Sequence, residues 1–422
     1  MAGSARRDEQ AATGFYYGWV IVAVGCTLTT VLAGVMYTYG VFFKPLIADF
    51  DWSRAAVSGI YSVYMLVQGF AAIGMGWLAD RTGPRKIMLV NAVAGSVGLL
   101  LTSQIGELWQ IYLTFGLFTS IGLSGTFAVS IGTTARWFSR NRGLALGIVA
   151  AGTGLGTLIM PPLAQALIDA FGWPTTYIIF AAGIWLVLTV SAFLLKLPSP
   201  EQSRRYNAAI TSTQIRRPGA GIEMRQAFRS RLLWLLFLVF AGMNFCVQIV
   251  LVHLVNYATD IGIATLVAVS FVSIIGIGSI TGRLVMGASA DRIGTNNALI
   301  FCCLLLFFAL TWLTFARGLW MFYVFAIFFG FAYGGEVPQM AALVDKFFGL
   351  RAVAALVGVV QSGTHAGGSL GAWAAGKIFD VSNSYAIALM ISALVGLAAF
   401  VLAVLLRRWS RADRLEAEWK SS

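Results

Sequence analysis

Three ionisable side chains, Arg283, Glu336 and His365, lie inside runs of apolar residues. In hydrocarbon such groups cost several kcal/mol, turn to a protein interior or a wet cavity, and mark a functional site by default. Arginine presents a planar fork that matches a carboxylate through two parallel hydrogen bonds. Arg283 therefore reads either as the anchor of an anionic substrate or as the structural partner of Glu336. Glu336 itself reads as a proton carrier, as that partner, or as a loop-facing acid. An unperturbed histidine titrates at roughly pH 6.5, so His365 reads as a proton-coupling group or as a ring satisfied by the hydroxyls of Ser362 and Thr364. Cys26, Cys246, Cys302 and Cys303 have no paired or metal-ligand spacing, and neither a P-loop, a dinucleotide fingerprint nor a nucleophile elbow is present. The chain is expected not to be an enzyme and to need no metal or cofactor.

Positioning those groups calls for elements that cross a membrane. Of 422 residues, 59% are hydrophobic and 11% charged, with a mean hydropathy of +0.81. Soluble chains carry about 25% charged residues, so lipid is the implied solvent. About 20 apolar residues in a helix span the roughly 30 Å hydrocarbon core, and twelve such windows occur. They run over 17 to 43, 53 to 78, 86 to 105, 108 to 133, 143 to 168 and 174 to 197, then 231 to 256, 264 to 289, 297 to 316, 318 to 343, 352 to 377 and 384 to 407. The first is too long, and its leader too mixed in charge, for a signal peptide. With both termini in the cytoplasm, 24 of the 29 Lys and Arg residues fall in cytoplasmic segments. That is the bias that orients multi-pass proteins. The net charge of +12 is thus a topology signal. Scattered over short loops and two tails, it forms no patch fit for nucleic acid. The tryptophans at 52, 109, 173 and 320 fall at window ends, as an aromatic belt would.

The two halves repeat each other. Gly76-Trp77-Leu78-Ala79-Asp80-Arg81-Thr82-Gly83 returns as Gly287-Ala288-Ser289-Ala290-Asp291-Arg292-Ile293-Gly294, half a chain later. The expected fold is an all-α membrane protein with twelve transmembrane helices in two pseudo-symmetric six-helix bundles. Residues 1–197 would form the first bundle, 198–230 a central cytoplasmic loop, 231–408 the second bundle and 409–422 a cytoplasmic tail. Parallel repeats of this kind put a substrate site near the midplane between the halves and permit alternating access by rocking.

The duplicated Gly-x-x-x-Asp-Arg-x-Gly, extended in its first copy by Pro84-Arg85-Lys86, resembles the signature of the major facilitator superfamily. Gly76, Asp80, Arg81, Gly83, Arg85, Asp291 and Arg292 would then form its gating motif. Glycine permits close helix approach, and an aspartate at a neighbouring helix N-terminus gains roughly 0.3 to 1 kcal/mol. The opening Tyr17-Gly18-Trp19-Val20, the run Arg136-Trp137-Phe138-Ser139-Arg140-Asn141-Arg142-Gly143 continuing through Ala150 to Gly156, Gly282-Arg283, and Gly367-Gly368-Ser369-Leu370-Gly371 are similar to oxalate/formate antiporters and monocarboxylate transporters. That resemblance implies that Arg283 holds the substrate anion. Where oxalate carriers add a lysine for a second carboxylate, this chain has Val360 and Gln361, and Phe127 and Thr153 stand where those carriers have tyrosines. Where animal monocarboxylate transporters have a lysine in the first helix and an aspartate before the arginine, it has about Tyr37 and Ser279. One intramembrane cation favours one carboxylate.

Uncharged polar residues line helical faces: Tyr61, Tyr64 and Gln68 at i, i+3 and i+7, and Asn244 and Gln248 at i, i+4. Such faces either meet the cavity or stitch helices together, at about 0.6 kcal/mol per contact. His253, Asn256, Tyr257 and Asp260 read as an interfacial cluster at the outer end of the seventh window. The expected function is proton-coupled secondary transport of small monocarboxylates such as lactate or pyruvate by alternating access, with organic-anion exchange of the oxalate/formate type as the alternative and a non-transporting sensor as a remote one. The expected substrate-binding set is Arg283, Tyr37, Gln68, Phe127, Tyr64, Asn244, Gln248, Tyr333 and Gln361, with His365 and Glu336 for the proton. The expected partners are a small carboxylate, protons under symport and the lipid bilayer, and the chain is expected to act as a monomer in the inner or plasma membrane.

Overall fold

The structure, a computed structural model, describes residues 16–138, 142–199, 224–349 and 353–421. The first helices are α1 (Gly18–Phe50), α2 (Arg54–Thr82), α3 (Pro84–Thr102) and α4 (Leu108–Trp137). The helical run Arg142–Leu194 is broken by Gly172, whose φ of +78° lies in the region open to glycine. It gives α5 (142–171) and α6 (173–194). After the short helix Met224–Arg229 follow α7 (Arg231–Asp260), α8 (Thr265–Ile293), α9 (Thr295–Phe315), α10 (Leu319–Phe348), α11 (Val353–Ser382) and α12 (Ala386–Ser421). All the windows read from the sequence correspond to helices. By length and composition, ten described helical stretches could cross a membrane, with Gly143–Leu194 counted as one. α11 is not among them, because its glycines, Gln361, Ser362, Thr364 and His365 dilute its apolar content.

The core falls into two large clusters and a small one of Ile249, Ala375, Tyr385 and Ala388. One large cluster draws almost wholly on residues 227–406, with Ala33, Tyr37 and Val41 reaching in from α1. The other draws on residues 21–195, with Val252 and Ala372 reaching in from the second half. The repeated motif gives both halves the same turn. Gly83 (φ +89°, ψ 154°) ends α2 and starts α3, and Gly294 (φ +84°, ψ 140°) ends α8 and starts α9. A side chain at either φ would be strained.

Two corrections follow from the packing. The glycines and proline of Tyr333 to Pro338 are residue types that permit a helix break, yet α10 runs unbroken through Pro338. Its glycines serve close approach instead: a Cβ on Gly334 would overlap the Ser279 carbonyl of α8, and one on Gly335 would meet Met286 and Cys302 at 2.8 Å. Of the belt tryptophans, Trp109 and Trp320 are exposed, but Trp173 is buried. Its indole N–H donates to Asp49 Oδ2 (2.6 Å), which removes its need for an interfacial partner.

Besides the contacts of α1 with α7 and α10, two seams join the halves, α2–α11 and α5–α8. We call the end of the bundle that carries residues 18, 82, 142 and 410 the tail face. From the opposite face, the α2–α11 seam is closed by Ser58 against Gly376, by Ser62 Oγ donating to the Ser369 carbonyl (2.6 Å), by Met65 against Gly368, and last by Gly69 against His365. The α5–α8 seam is closed by Ser273 Oγ donating to the Leu158 carbonyl (2.9 Å), by Gly276 against Leu158, and by Arg283 on the Ala150 carbonyl. Nearer the tail face, Gly143, Gly147 and Gly358 have no neighbouring atom of the described residues within 4 Å of a side chain's first carbon. Among the described residues, the two seams are therefore closed on the far side and apart on the tail side.

Close packing at Gly334 predicts that Gly334→Leu drives α8 and α10 apart, at about 1–3 kcal/mol or more for overpacking a tight contact. It should lower the melting temperature of the purified protein by several degrees, whereas Gly358→Ala, in open space, should not lower it.

Candidate substrate-binding site

The polar groups meet where the seams part. α8 carries Arg283, 8% exposed. Its Nη1 donates to the Ala150 carbonyl of α5 (3.1 Å), and its guanidinium carbon lies 5.6 Å from the centre of the Tyr333 ring on α10. Thr153 Oγ1 donates to the same Ala150 carbonyl (2.8 Å). The Tyr333 hydroxyl lies 2.6 Å from that of Tyr37 on α1, and both rings are buried. Arg283 thus touches α5 and α10, and through Tyr333 reaches α1, so both halves build its surroundings.

Its buried Nε has no hydrogen-bond partner, and among the described residues Arg283 forms no contact ion pair; the pairs seen, Lys44–Asp260 and Arg54–Asp260, lie elsewhere. The structural partner that the sequence offered, Glu336, is not in direct ion-pair contact with it. Glu336 is 4% exposed and its Oε2 is likewise without a partner. Its flanking residues touch α8 and α9 backbone and side chains at Ser279, Met286 and Cys302. Removing one partner of a buried ion pair leaves a charge that costs about 3–5 kcal/mol. A guanidinium and a carboxyl thus lie buried on adjoining helices, with Arg283 Nε and Glu336 Oε2 both free of hydrogen-bond partners among the described residues.

The other expected residues have contacts of their own. Gln248 Oε1 accepts from the Tyr61 hydroxyl across the halves (2.9 Å), and Asn244 and Gln248 both pack on Gly368 of α11. Gln68 Nε2 donates to the Tyr64 hydroxyl (3.1 Å), and the Tyr64 ring stacks on Phe115 at 5.1 Å. Tyr64 and Gln68 are thus satisfied within the first half, and neither is joined to Arg283 by a described contact. Phe127 is 38% exposed and has no ring partner among the described residues. Gln361 is exposed, and its carbonyl accepts from His365 Nδ1 (2.9 Å). The His365 ring rests on Gly69, at the point where the α2–α11 seam ends. The hydroxyls of Ser362 and Thr364 donate to Val359 and Gln361 carbonyls rather than to this ring.

At the tail face, Arg81 lies over the Trp77 ring (3.9 Å) and Arg85 over Phe193 (4.3 Å). Gly76 faces nothing closer than the Ala128 Cβ at 3.8 Å, and Arg292 is exposed. Asp80 and Asp291 belong to α2 and α8, but their side chains lie outside the described residues, as do residues 139–141, 200–223 and 350–352. Two features of the site could not be read from residue types. The Ala150 carbonyl is backbone, which any residue supplies. The orphaned Ser279 hydroxyl, fully buried one turn before Arg283, showed in the sequence only as a departure from a family pattern.

Comparison with known proteins agrees with this architecture. The chain is 27% identical over 392 residues to monocarboxylate transporter 13 of Rattus norvegicus, covering 92% of this chain and 87% of that protein. It is 26% identical to monocarboxylate transporter 11 of Homo sapiens, covering 89% and 80%. The fold matches the crystal structure of a bacterial homologue of the human lysosomal transporter Spinster, in an inward-facing and occupied conformation, with a TM-score of 0.73 at 14% identity over 94% of this chain and 98% of that one. The Major Facilitator Superfamily profile matches residues 25–316 and 277–420. With nearly the whole chain covered, this multi-pass membrane protein belongs to the Major Facilitator Superfamily of transporters.

Proposed function

We propose that the chain is a secondary transporter of small monocarboxylates that moves a proton with each anion by alternating access. The observation that carries the reading is Arg283, buried and without a carboxylate partner among the described residues. Similarity to monocarboxylate transporters over most of the chain supports the substrate class. The distribution of Lys and Arg supports cytoplasmic termini; on that reading the tail face is the inner face and the seams as described correspond to an inward-open carrier. The first and second bundles, 1–197 and 231–408, rock about the level of Arg283.

The mechanism is one of charge balance. Arg283 takes the carboxylate into the fork left by its unpartnered Nε, while Tyr37 and Tyr333 enclose the organic part. With the anion bound, a neutral Glu336 leaves the site uncharged. With the anion gone, an ionised Glu336 offsets Arg283 across the short distance between α8 and α10. Only arrangements without net charge move through a low-dielectric interior at tolerable cost, so anion and proton travel together. His365 is assigned a packing role at the seam, because its ring lies on Gly69 and its Nδ1–H is spent on the Gln361 carbonyl.

Uptake of labelled lactate into proteoliposomes tests this reading. Accumulation driven by an inward proton gradient and abolished by a protonophore is expected. Uptake that requires preloading with a second anion would establish exchange instead. Arg283→Lys keeps the charge but not the fork, and should lower kcat/KM for lactate at least tenfold; equal rates would remove Arg283 from the site. Glu336→Gln, fixed in the neutral form, should retain lactate counterflow but lose gradient-driven accumulation, whereas His365→Gln should keep both.

A further inference from the structure

The sequence groups His253, Asn256, Tyr257 and Asp260 as an interfacial cluster, and places Lys44 and Arg54 at the same level. The structure corrects the description. His253 and Asn256 are buried at 2% and 1% exposure, among helices rather than at a lipid interface. Asp260, at the end of α7, is shared by two cations of the other half: Lys44 Nζ on α1 lies 2.8 Å from Oδ1, and Arg54 Nη1 on α2 donates to Oδ2 at 2.6 Å. Arg54 is held from further sides. Asp380 of α11 accepts the backbone N–H of Arg54 (2.9 Å) and Ala55 (2.8 Å), capping the start of α2, and the guanidinium lies 3.6 Å from the centre of the Phe379 ring.

A directional chain of hydrogen bonds runs from this guanidinium into the second half. Arg54 Nη1 also donates to the Tyr385 hydroxyl (2.9 Å), which lies 3.0 Å from His253 Nδ1, while His253 Nε2 lies 2.9 Å from the Ala372 carbonyl of α11. The donors leave one assignment. A carbonyl only accepts, so Nε2 carries a proton. In the neutral ring Nδ1 then accepts, and the proton on Tyr385 points to it. The lone pairs of Tyr385 are thereby turned to Arg54, an arginine that only donates. Without an acceptor at position 253, the tyrosine proton would be free to face the guanidinium.

We propose that Lys44, Arg54 and Asp260 form the gate that shuts the face opposite the tails, and that His253, acting through the orientation of the Tyr385 hydroxyl, is the positioning residue that holds Arg54 in it. Every ion pair of the gate crosses from the first half to the second, so opening that face must break all of them together. The gate rests on the alternating-access reading, but its test needs no substrate. Ile73 stands one turn from Gly69 on α2, toward the tail face, and is 60% exposed; closing the tail side would cover it. Alkylation of Ile73→Cys in the full-length protein by a polar maleimide therefore reports how often the tail side is open, with Cys246, Cys302 and Cys303 buried and Cys26 as constant background.

Asp260→Asn should slow labelling threefold or more. Tyr385→Phe, which deletes one hydroxyl, should shift it the same way to a smaller extent. His253→Leu should match Tyr385→Phe, and His253→Gln, which retains a donor and an acceptor, should recover at least half of the wild-type rate. A destabilised fold would raise labelling, the opposite sign. Unchanged labelling in Asp260→Asn would overturn the gate. A shift in Asp260→Asn with wild-type labelling in Tyr385→Phe would overturn the positioning role of His253. Failure of lactate uptake in the wild-type protein would leave both readouts intact and bear on the substrate alone.

Discussion

An arginine buried without a contacting carboxylate among the described residues is the constraint on which the reading of this protein rests. A guanidinium in the middle of a helical bundle is tolerated only where the structure offers it donors' targets and, at some stage of the cycle, a negative charge. Here the permanent contribution is small: one backbone carbonyl, that of Ala150, and the face of one ring, Tyr333. Both belong to helices other than α8, and the carbonyl belongs to the other half of the molecule. The state of the arginine and the relation of the two halves are therefore not independent. Under the proposed function, an anion that drew the guanidinium away from Ala150 would also loosen the last described contact of the α5–α8 seam, which would link binding to motion of the halves.

Small residues make that motion possible. Where the halves or neighbouring helices stay together, glycines bring backbones into contact: Gly276 against Leu158, Gly334 against Ser279, Gly376 against Ser58. Where the halves are parted, glycines again occupy the facing positions, Gly143 and Gly147 on α5 and Gly358 on α11. Without a hydrophobic drive between helices in lipid, association rests on close packing of this kind. Small residues on both the closed and the open stretch of each seam are what two alternative close packings of the same helices need.

Much of the architecture was legible because the membrane simplifies the code. A solvent that accepts only helices turns hydropathy into topology, and the duplicated Gly-x-x-x-Asp-Arg-x-Gly announces the two halves; Gly83 and Gly294 adopt the same left-handed turn in each. The site was legible at its charges. Arg283, Glu336, Tyr37 and Tyr333 stand out as polar groups in apolar runs, and the structure brings Tyr333 against both Arg283 and Tyr37. What escaped was whatever depends on backbone or on phase. The Ala150 carbonyl has no residue signature, and the continuity of α10 through Pro338 depended on tight packing against α8 rather than on local propensity. The π-helical stretch Tyr112–Thr119 within α4 had no mark in the hydropathy pattern either. Helical spacing grouped Tyr64 and Gln68 correctly, but could not tell a face that meets the cavity from one that is satisfied within its own bundle.

The central claim is that an anion on Arg283 and a proton on Glu336 enter as a neutral pair. Proton uptake on substrate binding measures it directly: lactate added to the purified, detergent-solubilised protein in weakly buffered solution near neutral pH, with the pH change titrated back. The account predicts close to one proton taken up per lactate bound, and none in Glu336→Gln. Saturable lactate binding with no proton uptake in the wild-type protein would contradict it.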